Sequence, residues 1–265
     1  MKLGASAVAL TLALCAVGAA AQDARPQARV ELAPTGKLRV ALLPLPHMAV
    51  RDQSSGQFGG VIVDLAQELA KRLDVPFEFV AATSNLSAVD QVKNGGADLT
   101  FLVALPELNT QIDFGATYIQ YETTFLVSGN SAVHGLTDID RPGVRVIAPN
   151  PSAIATTISQ TFKNAKLIGV PIATNSAQRV VEMLKSGEAD AYSNLTHLLS
   201  LTQLQLPDWR ILPGSYMTPV FSIGYPKDRQ SGAAYANSFI TEMKKNGFIQ
   251  RSIEEANVKG ARVPN

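Results

Sequence analysis

The sequence predicts a parallel α/β fold built as two lobes of one architecture. Three observations carry this reading. Strand-like and helix-like stretches alternate through the first half, at residues 38–43, 61–73, 77–80, 87–94 and 99–105. The same order returns in the second half, where residues 180–191 echo 89–99: apolar helix, glycine, small residue, Asp, strand. The run 99–105 (LTFLVAL) is unbroken apolar or β-prone sequence bounded by Gly and Pro, as a strand buried on both faces requires. Its carboxyl end opens onto the polar segment 107–111, where open parallel sheets hold ligands.

The individual elements follow from local pattern. Residues 38–43 (LRVALL) read as a strand that Pro44-Leu45-Pro46-His47 ends. Gln53-Ser54-Ser55-Gly56 reads as a turn. Between 61 and 73, apolar residues recur at 61, 62, 65, 66, 69, 70 and 73, with Gln67, Glu68, Lys71 and Arg72 opposite, the spacing of a one-sided helix. Pro76 ends that unit and 77–80 alternates as a strand does. A short helix over 87–94 carries Val89 and Val92 inward and stops at Gly95-Gly96. In the second half, 143–148, 167–170 and 189–193 are strands, with helices from Ser152 to about 162 and over 176–185. Residues 209–212 and 220–224 add strands, and helices over 232–246 and 248–256 follow. Asp98 and Asp190 each open a strand after a glycine turn, which suits turn and cap hydrogen bonding.

Composition bounds the function. Hydrophobic residues make up 46% and charged residues 17% of the 265, enough for a sizeable core. Lys2, the apolar stretch 5–16 and Gly18-Ala19-Ala20-Ala21 form a signal peptide, residues 1–21, so the chain is expected to be exported. Cys15, the single cysteine, lies inside it; Leu14 stands where a lipoprotein needs a small residue, and the mature chain has no thiol nucleophile. Without Lys2 the formal charge falls from +1 to zero, so no basic surface invites nucleic acid. His47, His134 and His197 are scattered without ligand spacing, so neither a metal nor another cofactor is expected. Residues 22–36, polar and proline-containing, read as a flexible lead-in.

A resemblance sharpens this. Ala97-Asp98, the apolar strand, Pro106-Glu107, Asp113-Phe114 and Tyr118 resemble a segment of the bacterial extracytoplasmic solute-binding proteins, family 3. Gly60 to Leu65, Thr83 to Leu86, Gly143 to Ala148 and Met243 to Ile249 are similar to further stretches of that family, in order, over roughly residues 36–260. The loop after Leu105 is about two residues shorter than is usual there. The resemblance implies the type 2 periplasmic-binding-protein fold: two Rossmann-like lobes, a central cleft that clamps a small molecule, and a two-crossover hinge. It puts residues 37–127 and 223–265 in lobe 1 and 128–222 in lobe 2, with the hinge near Gly129 and Ser222. It also implies a monomer in the periplasm that serves an ABC-transporter membrane permease.

Family members that bind amino acids hold the carboxylate with Arg and the ammonium with Asp, and a bidentate guanidinium suits the first. Here the Arg position is Leu108, a second basic position is Leu86, and the ammonium position falls at Asn194. An amino-acid zwitterion would be buried without paired charges, which is costly. The ligand expected is therefore neutral or weakly anionic. The remaining candidates are His47 at the end of the first strand, a ligand contact or a structural histidine, and Asn85, a ligand contact or a turn residue. Ser152 offers a hydroxyl and helix-start amides to an anionic oxygen, or is an N-cap, or both. Asn194 suits a neutral polar group or caps the following helix, and the resemblance adds Val103 and Ala153. Catalysis is not expected. The alternatives are an exported enzyme like the cyclohexadienyl dehydratases, for which His47 and Glu107 would be the acid–base candidates, and a ligand sensor.

Overall fold

The computed structural model describes residues 25–51, 56–105, 107–171 and 176–265. The expected leader 1–21, residues Gln53-Ser54-Ser55 of the expected turn and Pro106 lie outside the described residues. The chain forms two compact units: the described residues up to Tyr118 with Phe221–Ala256, and Ile119–Val220 with Asn257–Asn265.

The first unit begins with helix α1 (Arg25–Leu32), then β1 (Leu38–Leu42), a small hairpin of β2 (Val50–Arg51) and β3 (Phe58–Gly59), and α2 (Val61–Arg72). β4 (Phe77–Ala81), α3 (Asn85–Lys93) and β5 (Leu99–Val103) complete the expected alternation. β1 lies between β4 and β5 and is parallel to both, with Leu38 opposite Phe77 and Val40 opposite Leu99. β12 (Val220–Tyr225) runs antiparallel to β5, and α7 (Gln230–Lys245) and α8 (Phe248–Glu255) finish the unit. The stripe read on α2 is the buried one: Val61, Ile62, Leu65, Ala66, Leu69, Ala70 and Leu73 are all within the core. Gly60 starts that helix at φ 110, and a Cβ there would come within 2.8 Å of the His47 and Met48 carbonyl oxygens.

The second unit repeats the plan. β7 (Thr123–Ser128), β8 (Arg145–Pro149), α4 (Ala153–Thr161), β9 (Lys166–Val170), α5 (Ser176–Lys185), β10 (Ala191–Leu195), α6 (Thr196–Gln203) and β11 (Trp209–Ile211) form a sheet ordered β11-β7-β10-β8-β9 with helices packed on it. β8 is parallel to β9 and β10, whereas β7 is antiparallel to β10 and β11. One face of the sheet carries Phe125, Phe162 and Tyr216, with Phe125 stacked on Tyr216 at 4.8 Å between ring centres. The other buries Leu126, Ile147, Val180, Val181, Met183, Leu184 and Leu199.

One arrangement recurs in both units. The second residue of β1, Arg39, and the residue before β5, Asp98, form a paired clasp. Asp98 Oδ1 accepts from Arg39 Nη2 at 2.7 Å, and Oδ2 accepts from Nε at 3.0 Å and from the Arg39 backbone N–H at 2.9 Å. The Asp98 N–H returns a bond to the Arg39 carbonyl at 2.7 Å. Arg145, the first residue of β8, and Asp190, just before β10, repeat all four bonds at 2.8 to 2.9 Å. The two aspartates therefore do hydrogen-bond at strand starts, with an arginine as the partner.

Three stretches differ from the sequence reading. Residues 25–32, expected in a flexible lead-in, are helix α1. Ala28 and Leu32, one turn apart, are fully buried, and the Glu31 carboxylate accepts from the Gly232 N–H of α7 at 2.7 Å. Residues 113–128, not read as strands, form β6 (Asp113–Tyr121) and β7. The chain passes between the units at Tyr118/Ile119 and Val220/Phe221, so Gly129, expected at the hinge, belongs to the second unit beyond β7. There its N–H bonds the Asp208 carbonyl at 2.8 Å, and a Cβ would meet that oxygen at 2.5 Å. Ser222 sits on β12 close to its passage. A third passage follows Ala256: residues 257–265, expected with the first lobe, fall in the second unit, where β13 (Ala261–Arg262) pairs antiparallel with Gln120 and Tyr121.

Removing one partner of a buried ion pair costs about 3 kcal/mol or more, because the other charge is stranded. Asp98, 4% exposed, should show this: Asp98→Ala is expected to lose about 3 kcal/mol in urea denaturation. Asp190→Ala should lose clearly less, since that pair is more open to water. The hydrogen bonds and charge of Arg145 hold the Asp190 carboxyl below its ordinary 3.8, against a smaller opposing effect of burial. A lowered native pKa stabilises the fold above the unfolded value and is lost as pH falls through the native one. Asp190→Asn should therefore flatten the stability profile below about pH 4, measured by denaturation at pH 5 and pH 3.

Candidate ligand-binding site

In each unit the parallel strands end at loops that can carry ligand groups. In the first unit the loop after β1 walls a cavity of about 720 Å³ lined by Pro44, Leu45, Pro46, His47, Val50 and Gly60. The lining is mostly apolar, and Val50 is 43% exposed. His47 adopts φ 65, and its Nδ1 donates to the Ala256 carbonyl at 2.8 Å. The imidazole is thus tied to the end of α8 while one side lines the cavity.

The other first-unit candidates do not line this cavity. Ser84 is the N-cap of α3, its hydroxyl accepting from the Ser87 N–H at 3.0 Å, which leaves Asn85 as the first helical residue. Asn85 is exposed, and Leu86 beside it is 53% exposed. Val103 ends β5, half-buried opposite Phe221. Leu108 is 7% exposed and belongs to the buried cluster of Ala41, Ala88, Val89, Val92 and Leu102. Its side chain closes the core below the turn, so the Arg position of the family motif has become a packing position.

In the second unit Ser152 is the N-cap of α4: its Oγ accepts from the Ala155 N–H at 3.1 Å and donates to the Pro149 carbonyl. Ala153 follows as the first helical residue, with its amide at the positive end of the helix. Asn194 is the penultimate residue of β10 and is 7% exposed. Its Nδ2 donates to the Tyr192 phenol and its Oδ1 accepts from the Leu195 N–H at 2.8 Å. The cap of α6 is Leu195, so Asn194 stands one residue before it. Ser193, on the opposite face, donates to the Thr124 carbonyl at 3.0 Å and shares a 2.6 Å bond with the Tyr216 phenol. Burial raises the Tyr216 phenol to about 12, so the phenol is uncharged at neutral pH.

Sequence reasoning missed the two phenols. Tyr192 had a legible signal: two residues before Asn194 on a strand, it shares that residue's face. Tyr216 had none, because its meeting with Ser193 depends on the path of the segment after β11. Among the described residues, no group of three or more His, Cys, Asp or Glu could hold a metal ion, and no helix is long and apolar enough to cross a membrane.

Comparison with known proteins places this architecture. Residues 38–256 match the model of the bacterial extracellular solute-binding proteins, family 3. The chain belongs to that family. It is 25% identical over 202 residues to a glutamine-binding protein of Geobacillus stearothermophilus, covering 74% of this chain and 75% of the relative. Among solved structures, an amino acid ABC transporter substrate-binding protein of Streptococcus pneumoniae bound to L-arginine is 22% identical, with TM-score 0.69, over 85% of this chain and 96% of that one. A solute receptor for L-cysteine of Neisseria gonorrhoeae is 20% identical, with TM-score 0.70, over 88% and 95%. An ancestral amino acid-binding protein, a precursor of cyclohexadienyl dehydratase, is 22% identical, with TM-score 0.69, over 86% and 98%. These structures share the type 2 periplasmic binding fold with this chain.

The placement of the two leucines can be checked by truncation. Leu108→Ala should cost about 2–3 kcal/mol in urea denaturation, as core leucines do when shortened. Leu86→Ala should change stability by less than about 0.5 kcal/mol. Equal small effects would mean that Leu108 does not pack as described.

Proposed function

We propose that this chain is an exported, monomeric solute-binding protein that takes up a small organic ligand and delivers it to an ABC-type membrane permease. The ligand is neutral or weakly anionic. The observation that carries this reading is the use made of the family's charged positions. Leu108 is packed in the core, Leu86 is an exposed aliphatic, and Asn194 spends its amide on Tyr192 and Leu195. None of the three can pair with an α-ammonium or an α-carboxylate, and an ion taken out of water without a partner is strongly disfavoured.

What remains favours neutral polar groups and at most a single anionic oxygen. The Ser152–Ala153 helix start supports the oxygen, Asn85 offers an amide, and the cavity beside His47 suits an apolar body. The relatives that bind glutamine, arginine or cysteine make an amino acid the competing ligand class. The chain acts by binding rather than catalysis, because the cation expected beside Glu107 is Leu108, which is packed in the core and leaves a substrate carboxylate without a partner. The leader 1–21 takes it to the periplasm.

The test is a thermal-shift screen of the mature protein, refolded to remove co-purified ligand. Its panel holds L-glutamine, L-arginine, L-cysteine, neutral polar compounds and monocarboxylates. A ligand at about a hundred times its dissociation constant stabilises the fold by roughly 2.7 kcal/mol, a visible shift. The expected result is a shift with a neutral or monoanionic compound and none with the three amino acids. A shift with any of those amino acids would overturn the assignment of ligand class.

A further inference from the structure

A second cavity, of about 600 Å³, lies wholly within the first unit and shares no lining residue with the one beside His47. Its walls come from the turn after β5, the start of β6, β12 and the start of α7. We propose that it is a separate small-molecule site, one that takes a monocarboxylate with a compact apolar body.

Two features of the wall point to a ligand, and a helix start lies beside them. Ser222 on β12 is only 2% exposed and lines the cavity, yet its hydroxyl makes no hydrogen bond to any described residue. Buried hydroxyls are nearly always paired, so this one is placed for a partner that the chain does not supply. Arg229, half-buried at the N-cap of α7, lines the same cavity and forms no ion pair among the described residues, although its charge helps to lower the Glu31 carboxyl. A guanidinium so placed matches a carboxylate in charge and shape. The positive end of the sixteen-residue helix α7 opens there too, where Glu31 already takes the Gly232 N–H.

The rest of the wall sets the class. Ile112, Phe114 and Ala233 give an apolar surface for the body of the ligand. Tyr225 has its phenol engaged by the Asn237 side-chain amide at 3.3 Å, so it contributes ring surface. Two carboxylates also face the cavity: Asp113, held by Lys227 at 3.6 Å, and Asp228, exposed at the rim. They disfavour a second negative charge on the ligand, hence a monocarboxylate. The volume is that of ordinary small-molecule sites. The site does not rest on the ligand class proposed above.

The experiment is a fluorine NMR titration of 4-fluorobenzoate with the full chain after leader removal. Saturable binding is expected, weakened about tenfold by Arg229→Gln and about threefold by Ser222→Ala, the losses expected when a charge-assisted and a neutral hydrogen bond are removed. Lys185→Ala, on the exposed face of α5 in the other unit, should leave the affinity unchanged. The proposal is overturned by the absence of saturable binding. Affinity that survives Arg229→Gln but falls in Ser152→Ala or His47→Ala also overturns it, since the probe then sits at the other site. Should Arg229→Gln not fold, proton–fluorine contacts in the wild type decide: contacts to Ile112 and Phe114 support the site, and their absence sinks it.

Discussion

The clasp between Arg39 and Asp98, repeated between Arg145 and Asp190, is the interaction on which the placement of everything else depends. Parallel strands have no tight turn to set their register, so alignment must come from packing or from specific bonds. Each clasp uses a charged side chain to tie the beginning of one strand to the beginning of its neighbour, and adds a backbone bond in each direction. It fixes the amino ends of the strands and so determines where their carboxyl ends open. The strand ends and loops that bear His47 and Val103 in one unit, and Ser152 and Asn194 in the other, inherit their positions from it. The first clasp is the more buried, and charge pairing in a drier setting leaves less freedom to slip.

Much of the fold was legible in the sequence, because each unit uses long periodic segments. The stripe on α2, the apolar run of β5 and the glycine after α3 each specify one element without outside help. The strands β6 and β7 were not legible. Residues 113–128 mix small, polar and aromatic residues without a clear period, and they become strands by pairing with segments distant in the chain. Helix α1 was hidden for a similar reason: its mean character is polar, and only Ala28 and Leu32 reach the core. The arginine partners of Asp98 and Asp190 had a signal in retrospect, since each opens or nearly opens the first parallel strand of its unit.

The site was read less well than the fold, and the reason is physical. A sequence shows which side chains stand at a strand end, but not how many of their hydrogen-bonding groups are already spent. His47 is bound to Ala256, and Asn194 to Tyr192 and Leu195. Ser152, by contrast, acts as the N-cap that its place before an apolar helix implies. Leu108 carries the sharpest lesson: replacing a charged residue in a binding loop by leucine need not leave an apolar patch facing the ligand. The leucine can turn inward and lengthen the core, and the loop then follows the core rather than the solute.

The third passage of the chain, after Ala256, gives the two ends of the described chain different allegiances. Helix α1 is anchored on α7 in the first unit through Glu31 and Gly232, whereas β13 is paired with Gln120 and Tyr121 in the second. Arg25 and Asn265 are both exposed, and Cys15, the single cysteine, falls within the segment 1–21 expected to be a leader. A pair of cysteines introduced at those positions would thus carry dyes reporting one on each unit. Each dye would then report the unfolding of its own unit, read separately from one chain end.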